Sequence, residues 1–331
     1  MRRYITSLIL ALFFGLSSKA QEGIPVYFDY LADNYYLVYP SMAGISEGTK
    51  IRLTARKQWF NVDEAPALQT LNLNFRAGER SGVGFILFND SNGYHAQTGF
   101  KGTYAHHLQL AGDFRTLNQL SFGLSAGVIL SSLDETEFRS VIPDPVVTGV
   151  KNTASYFNVD FGVSYSLFEF YAHAAVLNVL GSGRDLYTVA EFDNLRRYLL
   201  SAGYVFGRNL RVEPSVLFQM TDFTREKTVD INAKVYKDVS FGTVWAGLSY
   251  RRSFDGAQFQ QNGGFGEQRL QLFTPIIGVN WDRFLFSYNY SYQSGDIRFD
   301  NGGFHQITLG YDFGQNDQSK RYDCYCPAAN N

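Results

Sequence analysis

Phe286, Tyr288, Tyr290 and Tyr292 alternate with Ser287, Asn289, Ser291 and Gln293, so one face of this stretch is aromatic and the other polar. A period of two is the geometry of a β-strand, whose successive side chains leave on opposite faces. The pattern recurs. Leu71, Leu73 and Phe75 oppose Asn72, Asn74 and Arg76, while Phe122, Leu124, Ala126 and Val128 oppose Ser121, Gly123, Ser125 and Gly127. Near the end Ile307, Leu309, Tyr311 and Phe313 oppose Gln306, Thr308, Gly310 and Asp312. Composition agrees: 22 Tyr, 29 Phe and 31 Gly against 8 Pro favour strands joined by tight turns over helices.

A soluble sandwich would bury such apolar faces in its core, and an outer-membrane barrel would turn them to lipid. The first residues bear on that choice. Arg2 and Arg3 precede an apolar run from Ile5 through Leu16, followed by Ser17, Ser18, Lys19 and Ala20. This is the three-part layout of a secretory signal peptide, expected to occupy residues 1–20, with the mature chain starting near Gln21. The run is shorter than the roughly twenty apolar residues of a membrane anchor. Beyond it, polar residues interrupt every apolar stretch, which leaves an exported chain either soluble or a barrel. A net charge of -2, from 29 Lys and Arg against 31 Asp and Glu, gives no electrostatic case for nucleic acid.

Strands are expected near 50–60, 67–77, 81–90, 94–111, 117–130, 153–166, 168–178, 196–207, 210–220, 228–237, 239–252, 268–281, 283–293 and 303–314. Tight turns are expected at Ala77 to Ser81, Ser166 to Phe168, Phe206 to Leu210, Lys237 to Val239 and Trp281 to Arg283. These alternate with longer connections, including 131–152, 179–195, 253–267 and 294–302, rich in Asp, Asn, Gly and Gln. A barrel with short periplasmic turns and long extracellular loops sorts its connections by parity, whereas a sandwich has no reason to. The fold class is therefore all-β: an antiparallel transmembrane barrel of about fourteen strands, with both ends on the periplasmic side.

The barrel is assigned to residues 50–314, between a segment at 21–49 and a periplasmic tail at 315–331. Tyr27, Phe28, Tyr30, Tyr35, Tyr36 and Tyr39 make the first segment too aromatic for a disordered leader, so it is expected to lie against the barrel as a periplasmic cap or plug. Arg52, Thr54, Arg56 and Gln58, Arg211, Glu213 and Ser215, and Asp230, Asn232 and Lys234 give the lumen charges of both signs. Such charges either pair with one another or surround water.

Chemistry is sparse. His95, His106, His107, His173 and His305 have no spacing that suggests a shared metal, and His106 and His107 point to opposite strand faces. No G-x-S-x-G elbow is present. Cys324 and Cys326, one residue apart in the tail, cannot staple a large fold. No enzyme, cofactor or metal site is expected.

The segment Tyr35-Tyr36-Leu37-Val38-Tyr39-Pro40-Ser41-Met42-Ala43-Gly44 resembles the N-P-A-x-A-G region that opens PorP/SprF-like proteins. It departs from that region at Val38 and Ser41, where Asn and Ala are usual. Arg52, Arg56, Gln58 and Trp59 follow, then Thr70, Asn72 and Asn74, the Gly82-Val83-Gly84 run with Phe85 and Asn89-Asp90, Tyr104 with His106, and the strand from Leu120 to Gly127. The likeness is dense over 35–130 and generic afterwards. It implies an outer-membrane component of the type IX secretion system of Bacteroidetes, in some members tied to gliding motility. It also implies work with a cognate secreted protein, such as an adhesin with a C-terminal sorting domain, and with periplasmic ring or peptidoglycan-binding components.

The partner-binding candidates are Phe138, Phe254, Phe259 and Phe265 in the outer loops, and Tyr35, Tyr36 and Tyr39 on the inner side. Aromatic anchors in a polar rim are the composition of a recognition surface. The alternative function is an outer-membrane porin or hydrophobic-solute transporter, with the aromatic segment as its plug.

Overall fold

The computed structural model describes residues 29–58, 65–110, 117–136, 149–181, 195–222, 224–254, 257–261, 264–294 and 303–314. The wall begins with β1 (Thr49–Gln58), β2 (Ala67–Arg76), β3 (Ser81–Asn92), β4 (His95–Gln109) and β5 (Asn118–Asp134). It continues with β6 (Lys151–Leu167), β7 (Phe170–Leu177), β8 (Arg197–Tyr204), β9 (Leu210–Thr221), β10 (Lys227–Val239) and β11 (Gly242–Ser253). A separate two-stranded sheet, β12 (Ala257–Gln261) and β13 (Gly264–Gln268), stands in the connection that follows. β14 (Gln271–Trp281), β15 (Phe284–Ser294) and β16 (Phe304–Phe313) complete the wall.

Fourteen strands form one closed barrel, each antiparallel to its neighbours, and β16 pairs with β1 from Thr49↔Phe313 to Gln58↔Phe304. Closure leaves no sheet edge, so every strand finds backbone partners on both sides. The alternation sorts the faces as the period requires. On β5 Leu124 is 52 % exposed and Phe122, Val128 and Leu130 also point outward, while Ser121, Ser125 and Ser131 are buried inside. On β15 Phe286, Tyr288 and Tyr292 face out, and Ser287, Asn289 and Ser291 face in.

Short turns and both wall ends, Thr49 and Phe313, share one end of the barrel, which the rule for such barrels makes periplasmic. The sorting of loops is incomplete. On the outer end Gly93-Tyr94 joins β3 to β4 in two residues, and 222–226 is short as well. Two turns also lie later than the sequence pattern suggests. Pairing of Val239 with Gly242 puts the β10–β11 turn at Ser240-Phe241, not at Lys237 to Val239. Pairing of Leu167 with Phe170 puts the β6–β7 turn at Phe168-Glu169. The stretch 253–267 is no plain loop, since it carries β12 and most of β13.

Candidate functional site

The distinctive site is inside the barrel. Residues 29–48 fold as three short 3₁₀ turns, Asp29–Ala32, Tyr35–Leu37 and Pro40–Met42, held by Leu37 N–H to the Asn34 carbonyl (3.2 Å), Tyr39 to Tyr35 (2.8 Å) and Met42 to Tyr39 (2.9 Å). Pro40 opens the last turn with a fixed φ and no N–H to satisfy. Asp33 (φ 61°) and Gly44 (φ 63°) adopt left-handed backbone at the bends.

Each bend presents a side chain to the wall. Tyr36 donates to Thr103 (2.8 Å), and Thr103 shares a hydrogen bond with Ser125 (2.6 Å). Tyr39 donates to Ser201 (2.7 Å), with its ring 4.8 Å from that of His173. Ser41 and Ser164 lie 2.6 Å apart, and His173 Nδ1 is 2.8 Å from Ser164. His107 Nε2 donates to the Ala43 carbonyl (3.1 Å), which leaves Nδ1 to accept from Ser121 (2.8 Å). Asn74 accepts from Gly44 N–H (3.1 Å), and Asn72 donates to Asn34 (2.9 Å). The wall leaves room where the segment passes: a Cβ added to Gly82, Gly84 or Gly123 would strike Ala43, Tyr36 or Pro40.

Glu213 on β9 is a hub. Tyr35 of the inner segment (3.0 Å), Tyr171 (2.5 Å) and Tyr236 all donate to its carboxylate, and Lys234 stands 3.8 Å away. Burial, with Glu213 adding its charge, pushes the Tyr35 phenol well above the ordinary tyrosine range. Burial is also the main cause that raises the phenols of Tyr36 and Tyr39, with the charges of Asp160 and Asp230 adding to it, so all three remain donors. The mixed charges of the lumen pair with one another. Arg251 holds Asp230 through two contacts of 2.6 Å, Arg52 holds Asp312 at 2.5 and 3.2 Å, Lys101 meets Asp160 at 2.5 Å, and Arg211 meets Asp238 at 2.8 and 2.9 Å.

Tyr35, Tyr36 and Tyr39, expected among the partner-binding residues, are thus buried and bonded to the barrel's own wall. Phe254 is exposed at the foot of the 254–270 connection, under the Arg252 guanidinium, 6.0 Å from its ring centre. Phe259 and Phe265 fall on β12 and β13, whose side chains lie outside the described residues. Phe138, the segment 1–28, Trp59, and the tail with Cys324 and Cys326 also lie outside them. From sequence Glu213 is legible only as a lumen charge and His107 only as a histidine on the strand face opposite His106, because their partners are remote in sequence. Glycines at period-two spacing, Gly82 and Gly84, were the available signal. Among the described residues no group of three His, Cys, Asp or Glu side chains is placed to hold a metal.

A closed fourteen-strand barrel, apolar outside and ion-paired within, is an outer-membrane β-barrel. The chain belongs to the type IX secretion system membrane protein PorP/SprF family, whose model matches residues 19–311. Family and fold point to a secretion membrane protein, and the family implies contact with secretion components and secreted cargo. None of the curated proteins matches the chain. Among solved structures, a TodX monoaromatic hydrocarbon channel deltaS2S3 mutant is similar in fold, at 10 % identity and TM-score 0.50 over 83 % of this chain and 92 % of that one. The CymD monoaromatic hydrocarbon channel matches at 13 % identity and TM-score 0.44, over 82 % of this chain and 90 % of that one.

Proposed function

We propose that this barrel assists the export, or the retention at the cell surface, of a cognate secreted protein such as an adhesin with a C-terminal sorting domain, and that its outer loops make the contact. The observation that carries this reading is the occupied lumen. Residues 31–45 are fixed to the wall by side chains of β2, β4, β6, β8 and β9, which disfavours free passage and leaves the rims as the surfaces a macromolecule meets. At the outer rim the long connections 135–150, 178–196 and 254–270 stand on a rigid scaffold, where binding residues concentrate. Phe138, Phe254, Phe259 and Phe265 are the proposed anchors there. The inner rim, with the turns at 77–80 and 240–241, serves periplasmic secretion or peptidoglycan-binding components.

The second reading, a hydrophobic-solute transporter, draws on a different observation: Leu68, Leu217, Leu272 and Ile276 point into the lumen and are buried there. Isolation of a tagged copy in mild detergent, followed by mass spectrometry, separates the two. One large surface protein should co-purify, and trimming 133–150 or 255–266 should release it while the barrel still inserts. Retention of that protein by both trimmed forms would move the contact to the inner rim, and recovery of no surface protein would favour transport.

A further inference from the structure

Arg251 and Arg252 are neighbours on β11 with opposite surroundings. Arg251 faces the lumen, where Asp230 takes its guanidinium through two contacts of 2.6 Å. Arg252 takes the outward phase of Leu248 on the same strand and is half-buried there, and its cross-strand neighbours Val229 and Gln271 carry no charge. Its Nε is buried without a hydrogen-bond partner, and among the described residues no carboxylate pairs with it. The guanidinium leans over the Phe254 ring, 6.0 Å from its centre, which limits where it can point.

A second cation stands beside it. Lys227 shares the outward phase of β10 with Val229 and Ile231, and its carbonyl accepts from Phe254 N–H (2.9 Å), so it lies diagonally across from Arg252. Such diagonal positions are within reach of long side chains. Arg225 is exposed on the turn that precedes β10. The acids of that turn are turned to other work. Asp222 is engaged by Arg196 at 3.4 Å, and Glu226, whose carbonyl carries the β9–β10 ladder on to Thr221 N–H, keeps the inward phase of Thr228 and Asp230.

Height fixes the medium these cations meet. Gly242 adjoins the exposed Phe241 at the short-turn end. Ten residue steps up β11 from there, at about 3.3 Å each and a tilt near 40°, raise Arg252 by about 25 Å, the height of the apolar band on such barrels. Just below it Ile231, Leu248, Phe273 and Ile277 are exposed on the outer face, and the ring of Tyr250 packs 4.8 Å from that of Phe273. Cations directly above an apolar band and an aromatic pair stand at the level of lipid head groups. A half-buried guanidinium with no anion from its own chain gains most from one that the membrane supplies, and phosphate oxygens match its fork of donors.

We propose that Arg252 and Lys227, with Arg225 above them, bind the phosphate of a phosphorylated glycolipid of the outer leaflet, whose acyl chains lie against Leu248, Tyr250 and Phe273. Arg252 supplies the bidentate contact and Lys227 a point charge. The site is independent of the secreted-protein reading.

The test is native mass spectrometry of the mature protein in detergent, titrated with bisphosphorylated lipid A, with the same lipid stripped of its phosphates, and with inorganic phosphate. Wild type should retain the phosphorylated lipid, and the other two should bind about tenfold or more weakly. Arg252→Gln combined with Lys227→Gln should weaken the phosphorylated lipid by a similar factor, while Arg196→Gln, whose charge Asp222 already engages, should bind as wild type does. Equal binding by wild type and the double variant overturns the proposal, as does binding of the stripped lipid or of inorganic phosphate as tight as that of the phosphorylated lipid. A loss from Arg196→Gln as large as that from the double variant would show a general effect of charge and overturn it too. Heat-modifiable mobility on gels checks that each variant is folded. Should the double variant fail that check, Arg252→Gln alone is read by the same outcomes.

Discussion

Gly123 and Leu124 are neighbours on β5 and answer to different demands. Leu124 faces lipid, where the requirement is apolarity and many residues would serve. Gly123 faces the lumen, where Pro40 lies so close that a side chain has no space. The same division holds along the wall. Outward positions are set by a medium that is uniform around the barrel, inward positions by particular partners: Thr103 by Tyr36 and Ser125, Ser201 by Tyr39, Glu213 by Tyr35, Tyr171 and Tyr236. The outer face should therefore tolerate change of shape and reject charge, and the inner face should do the reverse at its contact points.

The largest expected effect is on the outside. Leu124→Arg should lower stability by about 2–4 kcal/mol if it lies near mid-membrane, measured by reversible unfolding in lipid vesicles. Gly123→Leu should follow at about 1–3 kcal/mol, with displacement of the 40–44 turn seen as new protease cleavage within 31–45. If Gly123→Leu leaves both stability and protease resistance unchanged, the inner face is not specified as described. Tyr39→Phe, which removes only the bond to Ser201, should cost about 0.5–1.5 kcal/mol in the same assay. Leu124→Ile is the smallest, expected within about 0.5 kcal/mol of wild type.

This contrast explains what could be read from residues alone. The outer face was legible because lipid repeats one requirement at every second residue, and that gave the fourteen strands and most of their bounds. The turns were harder where the usual turn residues are missing. Phe168 (φ 49°) and Ser240-Phe241 occupy turn positions with Phe168 and Phe241 exposed at the short-turn end, where aromatic girdles meet the membrane interface. Without Gly or Asn at these positions as markers, the strands before the turns read one or two residues short and those after them two or three residues early. The inner segment was legible as aromatic and placed against the barrel, but its contacts were not. Tyr35 meets Glu213 across 178 residues of sequence, and no local pattern encodes that pairing. Equally, nothing in the composition of 253–267 announces the β12–β13 hairpin.

The lumen of this outer-membrane barrel is occupied by its own chain, and we propose that the protein works through its rims. Planar-bilayer recording of the purified wild-type protein distinguishes that from an open pore. The occupied lumen predicts quiet membranes, with no steady conductance at the level of an open porin. A stable, ohmic, porin-sized conductance from the intact wild-type protein would contradict it.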